Sequence, residues 1–254
     1  DLVKDLRRGK LKRVYQGGIA PIDSIPKPAR HLVDLHKYRP GGDPTTPIYT
    51  SRGCPYDCNF CSKITGQRYR VFPLPRVMEE IEYVMGLGFR HILFGDDDVG
   101  IQPKRLKRML EMLLPLNLYF RLNQDARIID EEILELAAKA GCTEISFGIE
   151  SGSQRMLDLM NKRTTLEANK KAITLTKKHR MKAKAYFVVN FPGENGDSIQ
   201  ETLEFAAQTM PDKWLLSSFA PLPGSDTFKN PKKYEITWMS SVWEDYYLVS
   251  IRKV

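Results

Sequence analysis

Cys54-Pro55-Tyr56-Asp57-Cys58-Asn59-Phe60-Cys61 follows the apolar run Pro47-Ile48-Tyr49 and the turn Thr50-Ser51-Arg52-Gly53. The spacing C-x-x-x-C-x-x-C packs three thiols too closely for a fold staple and suits a metal centre, because soft thiolates favour zinc, copper(I) or iron–sulfur clusters. Three protein ligands leave one metal position open for substrate or water. A three-cysteine zinc knuckle with its fourth ligand elsewhere is the alternative. Cys142 is the only other cysteine, and neither a second C-x-x-C nor an H-x-x-x-H pair stands downstream. Cys142 lies where a helical stretch gives way to a strand, and reads as a buried structural thiol.

Working outward, short apolar strands alternate with helical patterns from residue 47 onward, the signature of β/α units around a parallel sheet. Strands are expected at 47–51, 91–95, 118–122, 144–149, 183–191 and 213–220. Helices are expected at 75–87, 103–114, 130–139, 153–160 with 166–179, and 197–208, where apolar residues such as Val77, Ile81, Val84 and Met85 recur at helical spacing. Pro75 and Pro103 open helices, Asp130 is an N-cap with Glu132 two residues on, and Gly88 and Gly141 close helices. Six such units fall short of the eight that close a barrel. The fold class is therefore α/β, a partial (β/α)6 open barrel, with chemistry expected at the carboxyl ends of the strands.

Those ends are polar. The second strand runs into Gly95-Asp96-Asp97-Asp98, whose carboxylates repel one another unless a cation or metal sits close by; an acidic turn in which Asp98 caps the next helix is the structural alternative. The fourth ends in Gly148-Ile149-Glu150-Ser151-Gly152-Ser153. A carboxylate finishing an apolar strand should point into a polar cavity, and Ser153 stands where it can N-cap a helix. The fifth gives Phe187-Val188-Val189-Asn190-Phe191-Pro192-Gly193-Glu194-Asn195, and the sixth is followed by Ala220-Pro221-Leu222-Pro223-Gly224-Ser225.

Taken in order, these segments and the cysteine motif resemble the radical S-adenosylmethionine (SAM) superfamily over nearly the whole chain. The resemblance implies a [4Fe–4S] cluster on Cys54, Cys58 and Cys61, with SAM on the fourth iron and Phe60 at the aromatic position before the last cysteine. It implies SAM contacts from Asp96, Asp97 or Asp98 at the ammonium, with Asp97 the expected partner, from Glu150 and Ser151 at the ribose and methionine moiety, and from Val189 in an adenine slot. Asn190 and Asn195 depart from the glycine and threonine usual in the family. Reductive cleavage to a 5′-deoxyadenosyl radical would then serve methylation, cyclisation or rearrangement of a small-molecule or peptide substrate, with an electron donor such as a flavodoxin or ferredoxin.

The stretch Ile25-Pro26-Lys27-Pro28-Ala29-Arg30-His31-Leu32-Val33-Asp34-Leu35, with Tyr38, is similar to the junction that joins a cobalamin domain to the barrel in B12-dependent radical SAM enzymes. No D-x-H-x-x-G cobalamin motif is present, so cobalamin is expected only with a domain that is on another chain, cut away or lost. Residues 1–46, dense in Pro and Gly, are expected to be a linker or wrapping segment, 47–228 the barrel, and 229–254 an extension whose Trp238, Trp243, Tyr246 and Tyr247 cap it.

The chain has 254 residues, 42% hydrophobic and 28% charged, as a soluble globular domain does. No apolar run approaches a membrane span and no signal peptide opens it. Clustered cysteines fit a reducing cytoplasm. The net charge of +8 invites a nucleic-acid reading, such as a radical SAM enzyme that modifies RNA or a non-catalytic iron–sulfur or zinc module. The Lys and Arg runs are scattered, however, and no RNA-binding motif or interleaved basic and aromatic stripe supports it.

Overall fold

Along residues 182–189 the side chains alternate. Ala183, Ala185 and Phe187 are buried, whereas Lys182, Lys184 and Tyr186 turn to the other face, the period of two that a strand imposes. The computed structural model describes residues 2–15, 17–38, 45–240, 242, 245 and 249–251. A short helix α1 (Leu2–Arg7) precedes β1 (Thr45–Ile48), β2 (Ser51–Arg52), β3 (Arg70–Val71), α2 (Leu74–Gly86), β4 (His91–Phe94), α3 (Pro103–Leu113), β5 (Tyr119–Asn123) and α4 (Glu131–Lys139). Then come β6 (Cys142–Glu150), α5 (Gln154–Leu159), α6 (Leu166–Lys178), β7 (Lys182–Val189), α7 (Gly196–Thr209), β8 (Lys213–Ser218), α8 (Asp226–Lys229), β9 (Ile236–Met239) and β10 (Val249–Ile251).

Six strands form one parallel sheet in the order β1-β4-β5-β6-β7-β8, the partial barrel expected from the sequence. The helices cover its outer face, burying Ile81, Leu110, Leu134 and Ile173 against Phe94, Phe120 and Phe147. Each such side chain contributes about 1.5–3 kcal/mol by leaving water. Local chemistry sets the boundaries: Asp130 accepts the Ile133 N–H at 3.1 Å to cap α4, and Gly88 and Gly141 take positive φ where helices turn back to strands. Cys142 is buried at the start of β6, and burial pushes its thiol up to about 12.

The inner face is polar, carrying Arg121, Asn123, Glu144, Ser146, Lys184 and Tyr186 by the same alternation. A closed barrel packs this space with branched apolar chains; an open one admits water. The two edges of the sheet differ. At β1, Pro47 has no N–H to donate and its carbonyl accepts from Arg30 Nη2 at 2.8 Å; at β8, Trp214, Leu215 and Leu216 are exposed in succession.

Residues 22–30 lie along α2, where Arg76 donates to the Ile22 and Ile25 carbonyls. Arg30 is buried, reaching Glu80 at 2.9 Å and Thr46 Oγ1 at 3.3 Å, and Lys27 pairs with Glu79 at 2.8 Å. At the other end Tyr234 packs edge-on to Phe191, which also meets Phe219. Trp238 is 52% exposed, so the capping expected of the C-terminal aromatics falls here to Tyr234 and Ile236. Trp243, Tyr246 and Tyr247 lie outside the described residues.

Candidate functional site

The cysteine segment is an excursion out of the small antiparallel ladder in which Ser51 and Arg52 pair with Val71 and Arg70. Its entry is fixed at Gly53, which has φ +91°, and a Cβ there would stand 2.4 Å from the Arg68 carbonyl oxygen. From that turn the Cys54 N–H donates to the Gly66 carbonyl at 3.1 Å and the Gly53 N–H to Thr65 Oγ1 at 3.0 Å. The far side is clamped to the end of α5, where the Asn59 N–H reaches the Met160 carbonyl at 2.9 Å and Asn161 Nδ2 reaches the Asp57 carbonyl at 2.8 Å. The turn at Gly224 closes against Ser62.

This loop roofs a cleft of about 410 Å³ at the carboxyl mouth of the sheet, into which Cys54, Cys58, Cys61 and Phe60 all face. Burial pushes Cys54 up to about 11 and raises Cys58, so thiolates here call for a metal to displace their protons. No three His, Cys, Asp or Glu side chains among the described residues converge as the ligands of one ion. A cubane cluster has no such need, since each thiolate binds a different iron. The donor set thus fits the cluster implied by the sequence better than the zinc alternative.

Beneath the roof lies a buried ion pair. A register shift in the β6–β7 ladder between Gly148 and Glu150 marks a bulge, a device that re-aims a side chain. Glu150 sits there at φ +63°, and Lys162 Nζ donates to its Oε1 at 3.1 Å. Gly148 makes the room: a Cβ on it would lie 2.3 Å from Glu150 Oε1 and 2.8 Å from Lys162 Nζ. Burial works against the Lys162 ammonium, yet Glu150, Cys58 and Asp125 together hold its pKa above the ordinary lysine range.

The three aspartates separate into different tasks. Asp96 faces back into the fold, accepting from the Thr50 N–H at 3.0 Å, from Thr50 Oγ1 at 2.9 Å and from the Ser51 hydroxyl, and so ties β4 to the base of the cysteine segment. Asp97 is exposed and accepts from Thr65. Asp98 accepts the Gly100 N–H at 2.8 Å, the capping role weighed for it. Its Oδ2 is buried without a hydrogen bond of normal geometry, the Asp125 N–H lending a weaker contact, and burial raises the carboxyl to about 6.

Two expected residues lie away from the cleft. Ser151 is buried in the turn after β6, where its hydroxyl meets Thr202 at 3.0 Å and accepts the Ser153 N–H at 3.1 Å; Ser153 holds the N-cap position of α5 without a side-chain capping bond. Val189 follows the phase of Ala185 and Phe187, so Val188, not Val189, shares the face of Tyr186. The site also holds residues that the sequence did not single out: Lys162, Asn123, Asp125, Tyr186 and Tyr56. Burial works to raise Asp125, but Arg127 forks onto both its oxygens at 2.9 Å and the carboxyl stays below its usual range. The Arg127 guanidinium in turn lies over the Tyr56 ring at 4.2 Å. Asn123 ends β5 and Asp125 caps the turn just after it, where the strand-end rule points; nothing in the sequence distinguishes Lys162 from its basic neighbours.

A half-barrel with three thiols and a buried ion pair at its carboxyl mouth defines a class of cluster-bearing α/β protein. Within it, the family model of the radical SAM superfamily matches residues 48–206, and the chain belongs to that superfamily. It is 30% identical over 212 residues to an uncharacterized methyltransferase of Pyrococcus horikoshii, covering 82% of this chain and 46% of that protein. It is 33% identical over 187 residues to the anaerobic magnesium-protoporphyrin IX monomethyl ester cyclase of Rubrivivax gelatinosus, covering 70% of this chain and 33% of that enzyme. The fold is similar to the radical SAM methyltransferase TsrM of Kitasatospora setae, solved with tryptophan and a SAM analogue, at TM-score 0.70 and 19% identity, over 82% of this chain and 42% of that one. The cobalamin-dependent radical SAM enzyme OxsB superposes at TM-score 0.67 and 17% identity, over 81% and 38% of the two chains. The chain thus spans less than half the length of these relatives. No helix among the described residues is long and apolar enough to cross a membrane.

Proposed function

We propose that the chain is the catalytic barrel of a radical SAM enzyme that methylates a carbon of, cyclises or rearranges a small-molecule or peptide substrate. The observation that carries this reading is the convergence of Cys54, Cys58 and Cys61 with Glu150, Lys162 and Asp98 in one cleft. The three thiolates would hold three irons of a [4Fe–4S] cluster. When bound, the cluster and SAM supply one-electron cleavage of the sulfonium to methionine and a 5′-deoxyadenosyl radical, drawing the electron from a reduced flavodoxin or ferredoxin.

The chain's own residues bind and orient. The half-satisfied Asp98 carboxylate offers an acceptor to the SAM ammonium, a better one than Asp97, whose side chain is exposed and engaged by Thr65. Lys162 offers a cation to the SAM carboxylate and Glu150 an acceptor to the ribose. Phe60, edge-on to Phe191, and Tyr186 wall the cleft and keep water from the radical. Relatives of both kinds, methyltransferase and cyclase, support the substrate chemistry at this level. Binding of cobalamin by this chain alone is expected to be weak, for want of the motif noted above.

Anaerobic reconstitution followed by an iron count and a SAM-cleavage assay tests the reading. About four irons per chain, a brown charge-transfer band and 5′-deoxyadenosine formed under strong reductant are expected. One zinc per chain and no iron would refute it.

A further inference from the structure

The cleft has a charged floor. Asn123, Ser146 and Tyr186 line the cleft, so the residues two positions earlier on the same strands, Arg121, Glu144 and Lys184, point the same way, one strand repeat or about 7 Å deeper. Ladder register puts Arg121 beside Glu144, and Ser146 beside Lys184. Below them a second cavity of about 470 Å³ opens, lined in part by Arg121, Glu144, Lys182 and Lys213. Glu144 is buried and already paired, with Lys213 Nζ at 2.6 Å. Among the described residues no carboxylate pairs with Arg121, Lys182 or Lys184; the Lys184 ammonium rests over the Tyr186 ring at 4.9 Å. A half-buried cation without a counter-ion, as Arg121 is, is costly to hold. With Glu144 offset by Lys213, Arg121 and Lys182 leave the chamber net positive, and such a chamber concentrates anions.

We propose that this chamber is a substrate subsite for an anionic group, a carboxylate or a phosphate, which Arg121 takes as a fork and Lys182 as a point charge. The group would hang about one to two strand repeats, on the order of 7–14 Å, below the carbon presented at the cysteine cleft. The assignment of the reacting end rests on the radical SAM reading; the binding of the anion does not.

The iron-loaded chain, titrated calorimetrically at low salt with citrate, with pyrophosphate and with neutral triethyl citrate, tests the subsite. One-to-one binding of citrate identifies a carboxylate site and of pyrophosphate a phosphate site, with triethyl citrate inert. Arg121→Gln and Lys182→Gln should each weaken the bound anion about tenfold or more, whereas Lys107→Gln on the exposed face of α3 should not. Circular dichroism and iron content establish that each variant is folded and loaded. Equal binding of triethyl citrate, no binding of either anion, or equal weakening by Lys107→Gln would overturn the proposal. SAM cleavage by the unaltered chain tests the parent reading separately: cleavage without anion binding removes the subsite alone, and anion binding without cleavage removes the radical chemistry alone.

Discussion

Replacing Lys162 by Met strands the Glu150 carboxylate inside the cleft. The two side chains are only 13% and 9% exposed and 3.1 Å apart, so little solvent screening is available to the survivor. Removing one partner of such a pair typically costs about 3–5 kcal/mol, whereas replacing both by uncharged groups is close to neutral. With a urea m-value of about 2–3 kcal/mol per molar for a chain of this size, Lys162→Met should lower the unfolding midpoint by roughly 1–2 M. The double variant Glu150→Gln/Lys162→Met should recover most of the loss. Glu150 raises the lysine above its reference of 10.5, so the pair's contribution is complete at pH 7.5, begins to fall only above about pH 10.5, and is lost as pH rises through the folded value. The assay is anaerobic urea unfolding of the cluster-free chain at pH 7.5, followed by circular dichroism for wild type, both single variants and the double. A midpoint for Lys162→Met within a few tenths of a molar of wild type, or a double variant as damaged as the two singles added, would refute the buried-pair account.

The remaining expectations concern the same cleft. Asp98 titrates at about 6 in the fold against a reference of 3.8, so its penalty on the cluster-free chain grows as pH rises between those values and is constant above. At 1.36 kcal/mol per pH unit it reaches about 3 kcal/mol, and the melting-point gain of Asp98→Asn should rise from pH 4 to 6 and then flatten; a pH-independent difference contradicts this. Changing Cys54, Cys58 or Cys61 to Ala should abolish the iron count and the brown absorption, and Cys142→Ala should keep both. Gly53→Ala combines a left-handed backbone with a clash against the Arg68 carbonyl, so it should cost about 3 kcal/mol or more and lower iron retention; a melting point equal to wild type would count against the loop description.

Much of this was legible because the signals were periodic or punctuated. The six strands announce themselves through apolar runs between Pro and Gly stops, and the cysteines through their spacing. Side-chain direction was harder. Val189 and Val188 are interchangeable in composition, and only the phase of β7 decides which one faces Tyr186. Asp96, Asp97 and Asp98 are identical on paper, yet Thr50 and Ser51 engage the first, Thr65 the second, and burial leaves the third half-satisfied. Lys162 was silent because its partner is set by a bulge in β6, a long-range property of the ladder rather than of the surrounding residues.

The unequal edges of the sheet give it a direction of growth. Pro47 and the Arg30 guanidinium seal β1 against a further strand, while among the described residues no strand pairs with the outer edge of β8, which carries the exposed Trp214, Leu215 and Leu216. β8 carries no proline, and its inward charge, Lys213, is engaged by Glu144, so this edge is a template for strand addition. Any extension of this sheet, by sequence or by neighbour, therefore polymerises from one end only, the end farthest from β1.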